Sequence, residues 1–107
     1  MVNHHRGEIE ADIGGARRRL VLTLGALAEL EAAFGSEDLP ALAERFASGR
    51  LAARDLVRII GAGLRGAGAA VSDDEVASME VAGGAAGYVA IAVDLLAATF
   101  GTAGEAT

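Results

Sequence analysis

The sequence predicts an α+β fold, predominantly helical: an N-terminal β-hairpin followed by about four to five helices. Three observations carry this. Residues 7–13 alternate apolar and charged side chains, Gly14-Gly15 follows them at once, and beyond Thr23 the apolar spacing changes from two to three and four. The change falls inside Leu20-Val21-Leu22-Thr23-Leu24-Gly25-Ala26-Leu27, where strand period becomes helix period within a residue or two.

The first strand puts Ile9, Ala11 and Ile13 on one face and Glu8, Glu10 and Asp12 on the other. Gly14-Gly15 suits a two-residue turn because glycine takes positive φ without steric cost. That turn sets a register in which Asp12 faces Arg17, Glu10 faces Arg19 and Ile9 faces Leu20, so charge and apolar pairing agree. Arg18 is the misfit, since it falls on the inner face. A two-stranded hairpin is marginal alone and has to lie on something, and the helix directly after it is the obvious support. Thr23 is a fitting N-cap for that helix, Leu27, Leu30 and Phe34 form its stripe, and Gly35 suits its C-terminal end.

A short second helix is expected from Pro40 to about Ser48, with Leu39, Leu42 and Phe46 as contacts and Gly49 just past its end. Leu51 to about Ala67 reads as a third, carrying Leu56, Ile59, Ile60, Gly63 and Leu64 on one face and frayed at its glycine-rich end. Ser72-Asp73-Asp74-Glu75 fits a capping box opening a short fourth helix whose contacts are Val76 and Met79. Val81 to Phe100 is apolar nearly all round, with Asp94 its single charge. Its large side chains form two adjoining stripes, Tyr88, Ile91 and Leu95 beside Val89, Val93, Leu96 and Phe100. A helix of that kind is usually buried on more than one side, and a partner or self-association surface is the competing reading. A membrane span is disfavoured by the Ala/Gly content, by Asp94 and by the lack of basic or tryptophan flanks. Residues 1–107 are expected to form one domain with flexible termini at 1–6 and 102–107.

Composition narrows the function. The chain has no cysteine, which removes disulfides, thiolate metal sites and thiol catalysis, and suits a reducing cytoplasm. Its opening residues lack the apolar run of a secretory signal. Eight of the nine arginines lie in residues 1–60 beside nine acids; residues 61–107 hold only Arg65 against six, so the second half is acidic and opposes a duplex-binding surface. Arg54, Arg58 and Arg65 are too few for a basic recognition helix against that balance.

Catalytic patterns are lacking too. His4 and His5 are the only histidines and stand at the N-terminus, and no G-x-S-x-G, H-E-x-x-H or P-loop occurs. Gly61-Ala62-Gly63-Leu64-Arg65-Gly66 spells G-x-G-x-x-G, but no strand precedes it and its glycines close a helix instead of opening one. Carboxylates at Glu29, Glu31, Glu44 and Asp55 read as solvated residues of amphipathic helices. The chain is therefore expected to be no enzyme and to need no cofactor or metal.

Arg6-Gly7-Glu8, the run Leu22-Thr23-Leu24-Gly25-Ala26-Leu27-Ala28-Glu29-Leu30-Glu31, Gly63-Leu64-Arg65-Gly66-Ala67-Gly68 and Leu95-Leu96-Ala97-Ala98-Thr99-Phe100-Gly101 together resemble the tail assembly chaperone family of gene transfer agents and long-tailed phages. The resemblance covers nearly the whole chain, and similar chains are also labelled tail tube proteins. It implies a non-enzymatic cytoplasmic protein that binds the apolar, helical tape-measure protein, and with it the tail-tube protein, while a tail is built. Tyr88, Ile91, Leu95 and Phe100 are the expected contact if that face is not spent on the chain's own core. The alternative is a structural tail-tube or connector subunit that polymerises and stays in the particle. It ranks second here because a tube wall asks for a sheet that continues between neighbours, and this chain offers one short hairpin. Homo-oligomer formation fits either, and neither nucleic acid nor membrane is expected as a partner.

Overall fold

The computed structural model describes residues 7–34, 48 and 52–100. Strand β1 (Glu8–Ile13) and strand β2 (Ala16–Val21) form an antiparallel hairpin, followed by helices α1 (Leu24–Phe34), α2 (Ala53–Gly66), α3 (Asp73–Ala77) and α4 (Gly84–Phe100). This is the α+β, mostly helical arrangement expected. The short helix expected from Pro40 lies outside the described residues.

The hairpin register is the one that charge and apolar pairing require: Ile9 opposite Leu20, Glu10 opposite Arg19 and Asp12 opposite Arg17. Gly14 and Gly15 take φ of 63° and 82°, the positive values that a tight two-residue turn demands. Arg18, the misfit on the inner face, bends its guanidinium back and donates from Nε to the Ile13 carbonyl at 2.7 Å. Its charge is thus satisfied at the margin of the core. The turn is itself anchored, because the Gly14 N–H donates to the Glu80 carbonyl at 2.8 Å.

Thr23 ends the strand and caps the helix: its Oγ1 accepts the Ala26 N–H at 3.1 Å. Ser72 and Glu75 form the expected box, with Ser72 Oγ accepting the Glu75 N–H at 3.1 Å and Glu75 Oε1 accepting the Ser72 N–H at 2.8 Å. Helix α2 starts without a side-chain cap at Ala52, and Asp55 Oδ2 supplies half a box by accepting the Ala52 N–H at 3.4 Å.

One cluster of buried apolar side chains joins all these elements. Ile9, Ile13 and Leu20 from the hairpin, Leu30 from α1, Ile59, Ile60 and Leu64 from α2, Val76 from α3, and Leu95 and Leu96 from α4 are all at most 1% exposed. Helix α2 is the hub, packing on β2, α1, α3 and α4, while α4 lies under β1. The expectation of a frayed glycine-rich end is corrected here. Helix α2 runs through Gly66 with Gly61 and Gly63 buried, because those glycines let other backbones and side chains come close. A Cβ on Gly63 would sit 2.6 Å from Leu95 Cδ2 and 3.2 Å from Leu20 Cβ, and one on Gly66 would collide with the Val21 carbonyl oxygen. The last helix also starts later than its apolar run, at Gly84, since Gly83 and Gly84 hold φ of 89° and 59°. The G-x-x-x-G spacing there is local: a Cβ on Gly87 would strike the Ala82 carbonyl in the turn leading into the same helix.

Candidate functional site

Of the four residues expected to meet a partner, the structure turns one fully inward. Leu95 is 0% exposed, wedged against Gly63 of α2, so in this conformation it belongs to the core and touches nothing outside. Tyr88 is half-buried and its hydroxyl donates to the Met79 carbonyl, which ties α4 to the loop after α3. Burial, and next the nearby Glu80 carboxylate, raise the Tyr88 phenol above its ordinary pKa. Phe100 is 41% exposed at the far end of the helix, and Ile91 is half-buried. The four therefore do not form one face.

The surface that α4 does present draws on both stripes, through Ile91 of one and Val89 and Val93 of the other. An open groove of about 720 Å³ runs between β1 and α4, lined by Ile9, Glu10 and Ala11 on the strand and by Val89, Ala90, Ile91, Val93, Asp94 and Ala97 on the helix. Its floor is apolar and its rim carries Glu10 and Asp94. The sequence held a signal for this that the stripe argument passed over. Asp94, the only charge of the helix, marks the side turned to solvent, and Ala90 and Ala97 stand four before and three after it on that same side. A smaller hollow of about 340 Å³ lies beside β2, lined by Arg18, Arg19, Leu64, Ala67, Gly68 and Ala69.

Arg65, Glu29 and Asp73, which line neither hollow, are used structurally. Arg65 Nη1 donates to the Val71 carbonyl and to Asp73 Oδ1, both at 3.0 Å, and its Nη2 pairs with Glu29 Oε2. Burial works against the Arg65 charge, but its hydrogen bonds to Glu29 and Asp73 and their negative fields outweigh it and hold the guanidinium pKa above its usual value. Glu29, expected to be merely solvated, is thus one end of a clamp joining α1, α2 and the start of α3. The letters of G-x-G-x-x-G are accounted for in the same region. Gly61 makes room for the Asp73 carboxylate, Gly63 for Leu95 and Gly66 for Val21, each a packing contact within the chain. Among the described residues no three His, Asp or Glu side chains converge as a metal site, and no helix is long and apolar enough to cross a membrane.

Among its described residues this hairpin-and-helix fold presents two open hollows, one beside each strand of the hairpin. Its family follows from the sequence as a whole: residues 6–102 match the family described as phage tail tube protein, GTA-gp10, and the chain belongs to that family. No curated protein and no solved structure matches it.

Proposed function

We propose that this chain is a structural subunit of a phage-like tail, a non-enzymatic cytoplasmic protein that joins copies of itself into the tail tube. The observation that carries the reading is membership of the tail tube family over nearly the full chain. It reverses the order in which chaperone and tube subunit stand when the residues are read alone. The geometry is consistent with it. The two-stranded sheet leaves one edge of each strand unpaired by any other described strand, and an edge is what a subunit needs to continue a sheet into its neighbour.

The groove between β1 and α4 favours a second reading, that of an assembly chaperone for the tape-measure protein. An apolar floor with an acidic rim could seat an amphipathic helix carrying basic residues. Light scattering separates the two: the purified chain is measured over a range of concentration, then after co-expression with segments of the neighbouring tape-measure protein. Growth into rings or tubes without that partner supports the subunit. A soluble complex of fixed size with the tape-measure segment, and a monomer in its absence, supports the chaperone and overturns the first reading.

A further inference from the structure

The cross-strand register puts Arg19 opposite Glu10 and Arg17 opposite Asp12, but the two acids do not divide that way. Both turn to Arg17, whose Nε stands 3.3 Å from Glu10 Oε1 and whose Nη1 stands 3.6 Å from Asp12 Oδ1. Arg19 is left exposed, with no ion pair among the described residues. Arg18 is half-buried and held through Nε, which donates to the Ile13 carbonyl at 2.7 Å, while its Nη1 and Nη2 have no partner among the described residues. Both arginines line the smaller hollow, of about 340 Å³, together with Leu64, Ala67, Gly68 and Ala69. No acid is among its lining residues. In a chain of net charge −6, this is a place where positive charge stands uncommitted.

We infer that this hollow is a carboxylate-recognition site, which takes the side chain of one aspartate or glutamate presented by a partner polypeptide. A guanidinium offers its donors in a planar fork that matches the two oxygens of a carboxylate. Arg18 supplies that fork already oriented, because its Nε bond to the backbone holds the group in place, so less side-chain freedom is lost when the anion arrives. Arg19 adds a second charge from the adjacent position. Small residues leave room for the acid to enter: Ala67 and Ala69 project one carbon each, and among the described residues no atom beyond its chain neighbours lies within 4 Å of where a Cβ on Gly68 would stand. The methylenes of an incoming side chain are then accommodated beside Leu64. A polyanion fits less well. A space of this size seats one acidic side chain, and the net charge of −6 repels an extended row of phosphates. The inference stands apart from the choice between subunit and chaperone, since either meets other proteins.

The test titrates the full-length ¹⁵N-labelled chain, at low salt, with the acetylated and amidated peptide Gly-Ser-Glu-Ser-Gly and with its glutamine counterpart, following NMR signals. The Arg18 Nε signal and the Gly68 and Ala69 amides should shift saturably with the glutamate peptide and stay still with the glutamine one. R19Q, which changes an exposed side chain, should raise the Kd roughly threefold or more. A67L, which fills the hollow and leaves both charges, should abolish the shifts, and the dispersion of each variant's own spectrum reports that it is folded. Should A67L not fold, R19Q decides alone. No shift with the glutamate peptide, equal shifts with both peptides, or R19Q binding as tightly as wild type overturns the inference. Shifts at these same signals with a short oligothymidylate, and none with the peptide, overturn it as well and reassign the site to phosphate.

Discussion

At Gly66 a missing side chain decides how closely α2 lies on β2. A methyl there would run into the Val21 carbonyl, a backbone atom with nowhere to go. Gly66→Ala should therefore destabilise the fold by about 1–3 kcal/mol, although alanine is the better helix former. Gly25→Ala in exposed α1, where a Cβ finds only Thr23 Oγ1 at 3.9 Å, should stabilise by up to ~1 kcal/mol. Urea unfolding of the two variants reads the opposite signs. Like signs would mean that helix propensity, and not close approach, governs these positions. Tyr88 makes a second residue-scale prediction. Its folded-state pKa lies above the ordinary value of about 10, so above that pH the unfolded chain loses the phenolic proton while the fold retains it. Stability contributed by Tyr88 is thus complete below about pH 10 and is lost as pH rises toward the folded pKa. Tyr88→Phe should cost ~1 kcal/mol at neutral pH and flatten the alkaline decline in urea midpoint; an unchanged alkaline slope would contradict the assignment. Arg65, whose pKa is raised from a value already far above neutrality, adds no pH dependence between about pH 5 and 9.

Among the elements, the hairpin was the most legible in the sequence, because alternation, a Gly-Gly turn and cross-strand charge all demand one register. The caps of α1 and α3 were legible for a similar reason: Thr23 and Ser72 act on N–H groups within three residues, so their geometry is local. Ser72→Ala should lower stability by ~1 kcal/mol, measurable as a drop in urea midpoint with unchanged slope; no drop would mean that Glu75 and the helix packing hold that end alone. Helix α4 was legible as a helix but not in its orientation. With both stripes apolar, nothing in the order of residues says which one meets α2, and the deciding fact is Gly63, thirty-two positions earlier, whose open side admits Leu95. The candidate site suffered from the same cause. The stripe with Tyr88, Ile91, Leu95 and Phe100 joins a core residue, Leu95, to Ile91, which lines the groove with Val89, Val93 and Asp94. Arg18 was a misfit in sequence because a pattern registers which face a residue is on and not how far a guanidinium can reach.

For the whole molecule, every described element feeds one buried cluster through α2, so among the described residues the exposed large apolar side chains are Leu24 at the start of α1 and Phe100 at the end of α4, beside the apolar lining of the β1–α4 groove. On the proposed reading the chain acts through these surfaces in a phage-like tail, as its family membership suggests. The central claim is that the chain is built into the tail and stays there. Quantitative peptide mass spectrometry of purified tail particles addresses it most directly. The account predicts this chain in many copies per particle, in a constant ratio to the other tail proteins. Its absence from finished particles, alongside abundance in the cells that build them, would contradict the account and leave the chaperone of the tape-measure protein in its place.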